Sequence, residues 1–243
     1  VSGVSAQPLV LVGALLAAAA APAQTLDEIV ARHAAARGGR EALAAVRTLR
    51  MTGRAIAGPG REAVVRREIA RPGRIRTEFV FQGTTGVYVW DGSSGWRVSP
   101  LDRGLEPEPL SEEAAAFSAE QADFEGPLVD WKAKGHQVEL VGSAALSGGA
   151  AHELRVTLSS GVVRQLWVDA ASGLVVKSGS RRRVRGRELE FETSYGDYRE
   201  SGGVRFPHSI ETGVRGRPRR LRIVVESVEI NPPLDETRFK RTP

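Results

Sequence analysis

Residues 187–230 read RELEFETSYGDYRESGGVRFPHSIETGVRGRPRRLRIVVESVEI. Leu189, Phe191, Thr193 and Tyr195 fall on one side of an extended chain, and Glu188, Glu190, Glu192 and Ser194 on the other. That strict period of two marks a strand with one dry face and one wet face. Ser201-Gly202-Gly203 turns the chain. Val204, Phe206, His208 and Ile210 then repeat the pattern against Arg205, Ser209 and Glu211. After a basic turn, residues 221–230 supply a third strand. The stretch is an antiparallel meander with an apolar side that something must cover, and what covers it decides the function.

The rest of the second half has the same texture. Strands are expected over residues 137–141, 152–158, 162–168 and 174–177, with turns at 147–149, 159–161 and 171–173. In the first half, residues 49–100 also read as strands. Arg71-Pro72-Gly73 separates the alternating runs 66–70 and 75–81, and Ile75, Thr77, Phe79 and Phe81 share a face. Residues 87–90 and 96–98 form a hairpin around a glycine-rich loop, and residues 102–109 read as an irregular, proline-containing loop. Helices are few. Thr25 and Glu28 form a capping box, and Leu26, Ile29, Val30 and His33 follow on one stripe. His33 is read as a packed core histidine. Gly38-Gly39 stops that helix, and residues 41–46 make a short second one. Ser111 caps a third, with Glu112 and Glu113 in its first turn, and helical structure is expected to continue through residues 123–131. The tail beyond residue 230 is expected to pack Phe239 loosely. With no internal repeat and no long linker, residues 24–243 read as one domain.

Ahead of it, residues 9–21 form an apolar run too short to span a bilayer, followed by Ala21-Pro22-Ala23. This is the pattern of an export signal over residues 1–23, cleaved near Ala23, although residues 1–8 carry no Lys or Arg. The expected location of the mature chain is the periplasm. The 243 residues contain no cysteine. That rules out disulfides, thiolate metal sites and a lipid-bearing cysteine, and the mature form is expected to be soluble. The net charge is +5, and lysine appears only at Lys132, Lys134, Lys177 and Lys240. Alternate turns of a meander lie at the same end of a sheet. Arg181, Arg182, Arg183, Arg185 and Arg187 should therefore sit beside Arg215, Arg217, Arg219 and Arg220 in a basic rim. Such a rim suits an anionic membrane surface or an acidic envelope protein. Solvated arginines that merely blunt the sheet would look the same.

Catalytic signatures are missing. His33, His136, His152 and His208 have no ligand spacing, and His152-Glu153 meets Val156 where a zinc-protease motif needs a second histidine. No serine-hydrolase elbow, dinucleotide fingerprint or phosphate loop occurs. The Glu188, Glu190 and Glu192 row reads as salt-bridged surface. At 6% aromatic residues, the arginine clusters lack the interleaved rings that bind single-stranded nucleic acid. The reading is a non-enzymatic monomer with no cofactor, no metal site and no nucleic-acid partner.

Several features together carry a resemblance. They are the capped helix ending in Gly38-Gly39, the hairpin Trp90-Asp91-Gly92-Ser93-Ser94-Gly95-Trp96, and the run Leu166-Trp167-Val168-Asp169 through Gly173-Leu174. Tyr195-Gly196-Asp197-Tyr198 and Gly203-Val204-Arg205-Phe206-Pro207-His208-Ser209-Ile210 complete the set. The chain resembles the bacterial outer-membrane lipoprotein-sorting proteins of the LolA/LolB-like superfamily over most of residues 25–241. The resemblance implies an α+β fold, an incomplete, half-open antiparallel β-barrel of about ten strands wrapped around a few helices. Its concave apolar face would hold acyl chains of lipoproteins or other lipids. The residues expected to line that cavity are Phe79, Phe81, Val87, Val89, Leu166, Val168, Leu189, Phe191, Phe206 and Ile210. The alternative is a non-enzymatic module that uses the same half-barrel to sense or dock envelope proteins.

Overall fold

The computed structural model describes residues 24–99, 104–184 and 186–241. The expected export signal with its cleavage site near Ala23, and Arg185 of the expected rim, lie outside the described residues. Two helices open the domain, α1 (Leu26–Ala36) and α2 (Arg40–Ala45). Five strands follow: β1 (Thr48–Ile56), β2 (Glu62–Ala70), β3 (Arg74–Phe81), β4 (Thr84–Trp90) and β5 (Gly95–Ser99). After β6 (Gly104–Pro109) comes α3 (Glu112–Ala122). The second half is β7 (Gln137–Leu146), β8 (Gly149–Thr157), β9 (Val163–Asp169), β10 (Val175–Val184), β11 (Arg187–Ser201), β12 (Val204–Val214) and β13 (Arg220–Ile230). A 3-10 helix, Glu236–Phe239, ends the chain.

All thirteen strands form one antiparallel sheet, in the order β6-β5-β4-β3-β2-β1-β13-β12-β11-β10-β9-β8-β7. The sheet is more extensive than the roughly ten strands expected. It consists of two meanders joined by the β1–β13 pair, where Leu49 lies opposite Ile230 and Ile56 opposite Arg222. β6 and β7 are edges that do not pair with each other, so the barrel stays open. The chain between them, α3 and residues 123–136, crosses the concave side from one wing to the other.

Two expectations for the segment leading from one wing to the other need correction. Residues 104–109 are strand rather than loop, with Trp96 opposite Pro109 and Arg97 opposite Glu108. Proline is tolerated there because β6 is an edge strand and needs no donor on its outer side. Helical structure ends at Ala122, and residues 124–135 are successive turns. Arg71 Nη2 to Glu125 Oε1 (2.6 Å) and Lys134 Nζ to Asp123 Oδ2 (2.7 Å) hold that segment.

The helices form where local chemistry dictates. The Thr25 side chain accepts from the Glu28 N–H, while the Glu28 carboxylate accepts from the Thr25 N–H (2.8 Å). α1 buries Ile29, Val30, His33 and Ala34. Gly38 ends it at φ 118°, and a Cβ there would stand 2.0 Å from the Gly203 carbonyl oxygen. Only glycine allows both that backbone angle and that approach. Buried Arg37 joins three elements, donating from Nε to the Arg205 carbonyl (2.8 Å), from Nη1 to that of Glu125 (3.2 Å) and from Nη2 to that of Phe124 (3.1 Å).

Apolar residues collect in three places. One cluster packs Leu43, Leu49, Ile69, Ile75, Val129 and Phe206 beneath α2. A second packs Ile29, Leu128, Leu154, Val156, Leu166 and Val168 beneath α1. The third, Ala70, Val89 and Phe239 with Val87, Trp96 and Leu234, lies on the convex side beneath the C-terminal segment. Phe239 is only 2% exposed, so the tail is firmly seated and not loose. Beside it, Arg238 Nε donates to Glu68 Oε2 (2.6 Å) and Nη2 to Glu78 Oε1 (3.0 Å).

Candidate ligand-binding hollow

Between the two concave clusters the sheet encloses an open hollow of about 2040 Å³. Ala122, Phe124, Leu128 and Val129 occupy part of the concave side, and the hollow extends past them. Alternation along the strands builds its walls. Met51, Val65, Thr77, Phe79 and Phe81 come from β1 to β3, Phe191 and Tyr195 from β11, Ile210 from β12, and Leu221 and Ile223 from β13. Tyr88 of β4 stands beside Phe79, with ring centroids 6.0 Å apart. Beneath that ring β4 carries Gly86, where a Cβ would lie 2.0 Å from the Phe79 side chain. α3 contributes Ala116, Phe117 and Ala119. The hollow reaches the end of the sheet where the β1–β2, β3–β4 and β12–β13 turns lie, between Arg61, Phe81, Val214 and Arg219.

Most hydroxyls on the walls are satisfied within the protein. Tyr198 donates to the Val175 carbonyl (2.7 Å), and Tyr195 Oη and Ser178 Oγ are bonded at 3.0 Å. Thr193 donates to Thr212 (2.8 Å). Burial pushes the Tyr198 phenol well above its ordinary range, so it stays neutral. Walls whose hydroxyls are already paired present an apolar surface to whatever enters. Among the described residues, no three His, Cys, Asp or Glu side chains gather in a way that would hold a metal ion.

Six of the ten residues expected to line a cavity do line this one: Phe79, Phe81, Leu166, Phe191, Phe206 and Ile210. Val168 is buried beneath α1 in the second cluster instead. Leu189 lies opposite Arg182, near the β10–β11 turn, half-buried and off the wall of the hollow. Val87 and Val89 sit on the convex side, where Val89 packs on Phe239. β4 is apolar on both faces, and its inward residues include Gly86, Tyr88 and Trp90, the last packed on the first cluster.

The two arginine-rich turns do lie at one end of the sheet, with Val184 opposite Arg187 and Gly213 opposite Arg220. Much of the rim is engaged in ion pairs. Arg181 bonds Glu190 (3.1 Å), Arg215 approaches Glu190 (3.3 Å) and Glu192 (3.6 Å), and Arg220 approaches Glu211 (3.4 Å). Arg183, Arg187, Arg217 and Arg219 are exposed. Arg182 instead turns inward, its guanidinium carbon 4.2 Å from the centroid of the Phe117 ring and 5.1 Å from that of Phe191. Sequence reasoning assigned Arg182 to the exposed rim and passed over Arg164 and Arg67, because arginines in strands read as surface. Strand parity would have found the last two, since Arg67 shares a face with Val65 and Ile69, and Arg164 with Leu166.

No protein-family model and no curated protein matches the chain. Solved structures do. A crystal structure of a LolA superfamily protein from Nitrosomonas europaea is 16% identical and has a TM-score of 0.56, covering 90% of this chain and 99% of that one. The fold is LolA-like. A protein from Vibrio parahaemolyticus, described as an outer-membrane lipoprotein-sorting protein domain, is similar to this chain at 13% identity and a TM-score of 0.57, over 88% of this chain and 95% of the other. A DUF1329 family protein from Desulfovibrio piger gives 11% identity and a TM-score of 0.58, over 88% and 97%. At such identities the likeness concerns the LolA-like half-barrel itself. Among the described residues, no helix is long and apolar enough to cross a membrane.

Proposed function

We propose that this protein is a periplasmic, non-enzymatic carrier or binding protein for acyl chains, of lipoproteins or of other lipids, acting as a monomer. The observation that carries the reading is the open hollow of about 2040 Å³ with apolar walls. Pockets for drug-sized ligands run to about 1,000 Å³, so this one has room for a long or branched hydrocarbon. An acyl chain of about 14 carbons gains on the order of 10 kcal/mol from leaving water, before ordering costs, at about 0.8 kcal/mol per methylene. Such a site needs no catalytic group. A module that only docks envelope proteins has no use for a vacant interior, so the vacancy favours the carrier over that alternative.

The test is binding. Native mass spectrometry of protein purified from a bacterial periplasm should show a species heavier by the mass of a lipid. A neutral fluorescent probe, N-phenyl-1-naphthylamine, should brighten in the hollow and be displaced by long-chain lipids. Absence of any bound lipid, together with no displaceable probe signal, would refute the carrier.

A further inference from the structure

Four arginine nitrogens of residues lining the hollow, Arg67 Nε, Arg74 Nε, Arg164 Nη1 and Arg182 Nε, are buried and have no hydrogen-bond partner. Arg74 is taken up by the Phe239 ring and Glu236, and Arg67 donates from Nη1 to Gln121 (3.1 Å). Cations on the walls also outnumber the carboxylates, which are Glu120, Asp123, Glu125 and Glu236. Three of those four are occupied elsewhere. Asp123 and Glu125 hold Lys134 and Arg71, and Glu236 faces Arg74. That leaves Glu120 of α3, which pairs with Arg164. Arg182 stands beside this pair. It is stacked on Phe117 and Phe191, and no carboxylate lies within ion-pair distance of it among the described residues. Its ionisation is depressed first by burial and then by the positive charge of Arg164, so the two cations are close enough to repel.

Two neighbouring guanidiniums with one carboxylate between them, in an apolar and partly buried place, leave an uncompensated positive charge and unused donors. An isolated buried charge is costly unless a partner of opposite sign arrives. Guanidinium is suited to that partner, because it meets a carboxylate or phosphate with parallel N–H groups. Phe117, Phe191 and the aromatic wall beyond supply a surface for the hydrocarbon that follows.

We infer that the hollow selects an anionic amphiphile, an acyl chain ending in a carboxylate or phosphate, whose head is received by Arg164 and Arg182 beside α3. This rests on the acyl-chain reading and deepens it. A neutral lipid would fill the same space and leave both donors unmet.

The experiment compares ligands of one chain length by displacement of N-phenyl-1-naphthylamine: palmitate, 1-palmitoyl lysophosphatidate, methyl palmitate and inorganic phosphate. At least one of the two anionic lipids should bind about tenfold or more tighter than methyl palmitate, the effect of one charge-assisted hydrogen bond at a buried donor. The tighter of the two identifies the head group. Inorganic phosphate alone should not displace the probe. In Arg182→Gln the ratio of anionic-lipid affinity to methyl palmitate affinity should fall towards one. Should that variant fold poorly, Arg182→Met keeps an unbranched stem between the two rings and repeats the measurement. Equal binding of anionic and neutral chains by the wild type would overturn this inference and leave the carrier standing. So would a preference that survives both substitutions. Failure of every chain to bind would remove the carrier and this inference together.

Discussion

His33 lies between α1 and the β9–β10 turn, and in its neutral form it donates from Nδ1 to the Gly173 carbonyl (2.9 Å). Burial, and then the charge of Arg37, push its pKa down from 6.5 to about 4, against the pull of the Gly173 carbonyl. In the unfolded chain the ring takes up a proton near pH 6.5. The folded state therefore gains from His33 fully above pH 6.5, and the gain is lost as the pH falls from 6.5 towards 4. The whole loss amounts to roughly 3 kcal/mol. In denaturant titrations, moving from pH 7 to pH 4.5 should cost the wild type about 2.5 kcal/mol more than it costs His33→Leu, in which every other titrating group is retained. Parallel losses in the two proteins would show that His33 does not titrate in this range. The sequence placed His33 on an apolar stripe and so identified it as core. It gave no hint of the carbonyl that meets it, because Gly173 lies 140 residues away in the chain.

At the scale of elements, the C-terminal segment is the part that patterning described least well. Phe239 fills a site between Ala70 and Val89 on the convex side, and Arg74 stacks over its ring at 5.3 Å. The carboxylate of Glu68, 1% exposed, is driven upward by burial but held below its ordinary pKa by hydrogen bonds from Arg238, Arg66 and Arg50. Phe239→Ala should cost about 3–5 kcal/mol by denaturant titration, the usual effect of removing a buried aromatic ring. A cost under about 1 kcal/mol would mean that the tail is not part of the folded unit. The same segment explains which strands were legible. β11 and β12 alternate apolar with charged residues, so their inward faces are unambiguous. β4 carries Val87 and Val89 on one face and Tyr88 and Trp90 on the other, so both faces read as apolar. No periodicity can tell inside from outside in such a strand. β6, with Glu106-Pro107-Glu108-Pro109, has almost nothing to bury, and its pairing with β5 leaves no hydrophobic trace.

For the molecule as a whole, the open half-barrel followed from the alternation and the family resemblance together, whereas the vacancy inside it did not. Cavity and core are lined by the same residue types, and Phe206 belongs to both. Substitution can separate the two. Val65→Trp and Ile210→Trp each place an indole on the wall of the hollow. In a packed core such enlargement costs about 1–3 kcal/mol. Here each change should alter stability by less than about 1 kcal/mol, while the double variant weakens displacement of the naphthylamine probe by long-chain lipid about tenfold or more. Destabilisation at the packed-core level, with binding unaltered, would show that the space is structural.

A vacancy in the middle of a small protein ordinarily weakens it, since the atoms around the gap lose neighbours. Here the first-half wing is braced from behind. The aromatic plug of the tail and the arginine–glutamate lattice around Glu68 grip the outer surface of β2 to β5. The wall is stiffened by what lies outside the room, as a vault is by its buttress, so that side of the chamber can keep its shape whether or not a guest is present.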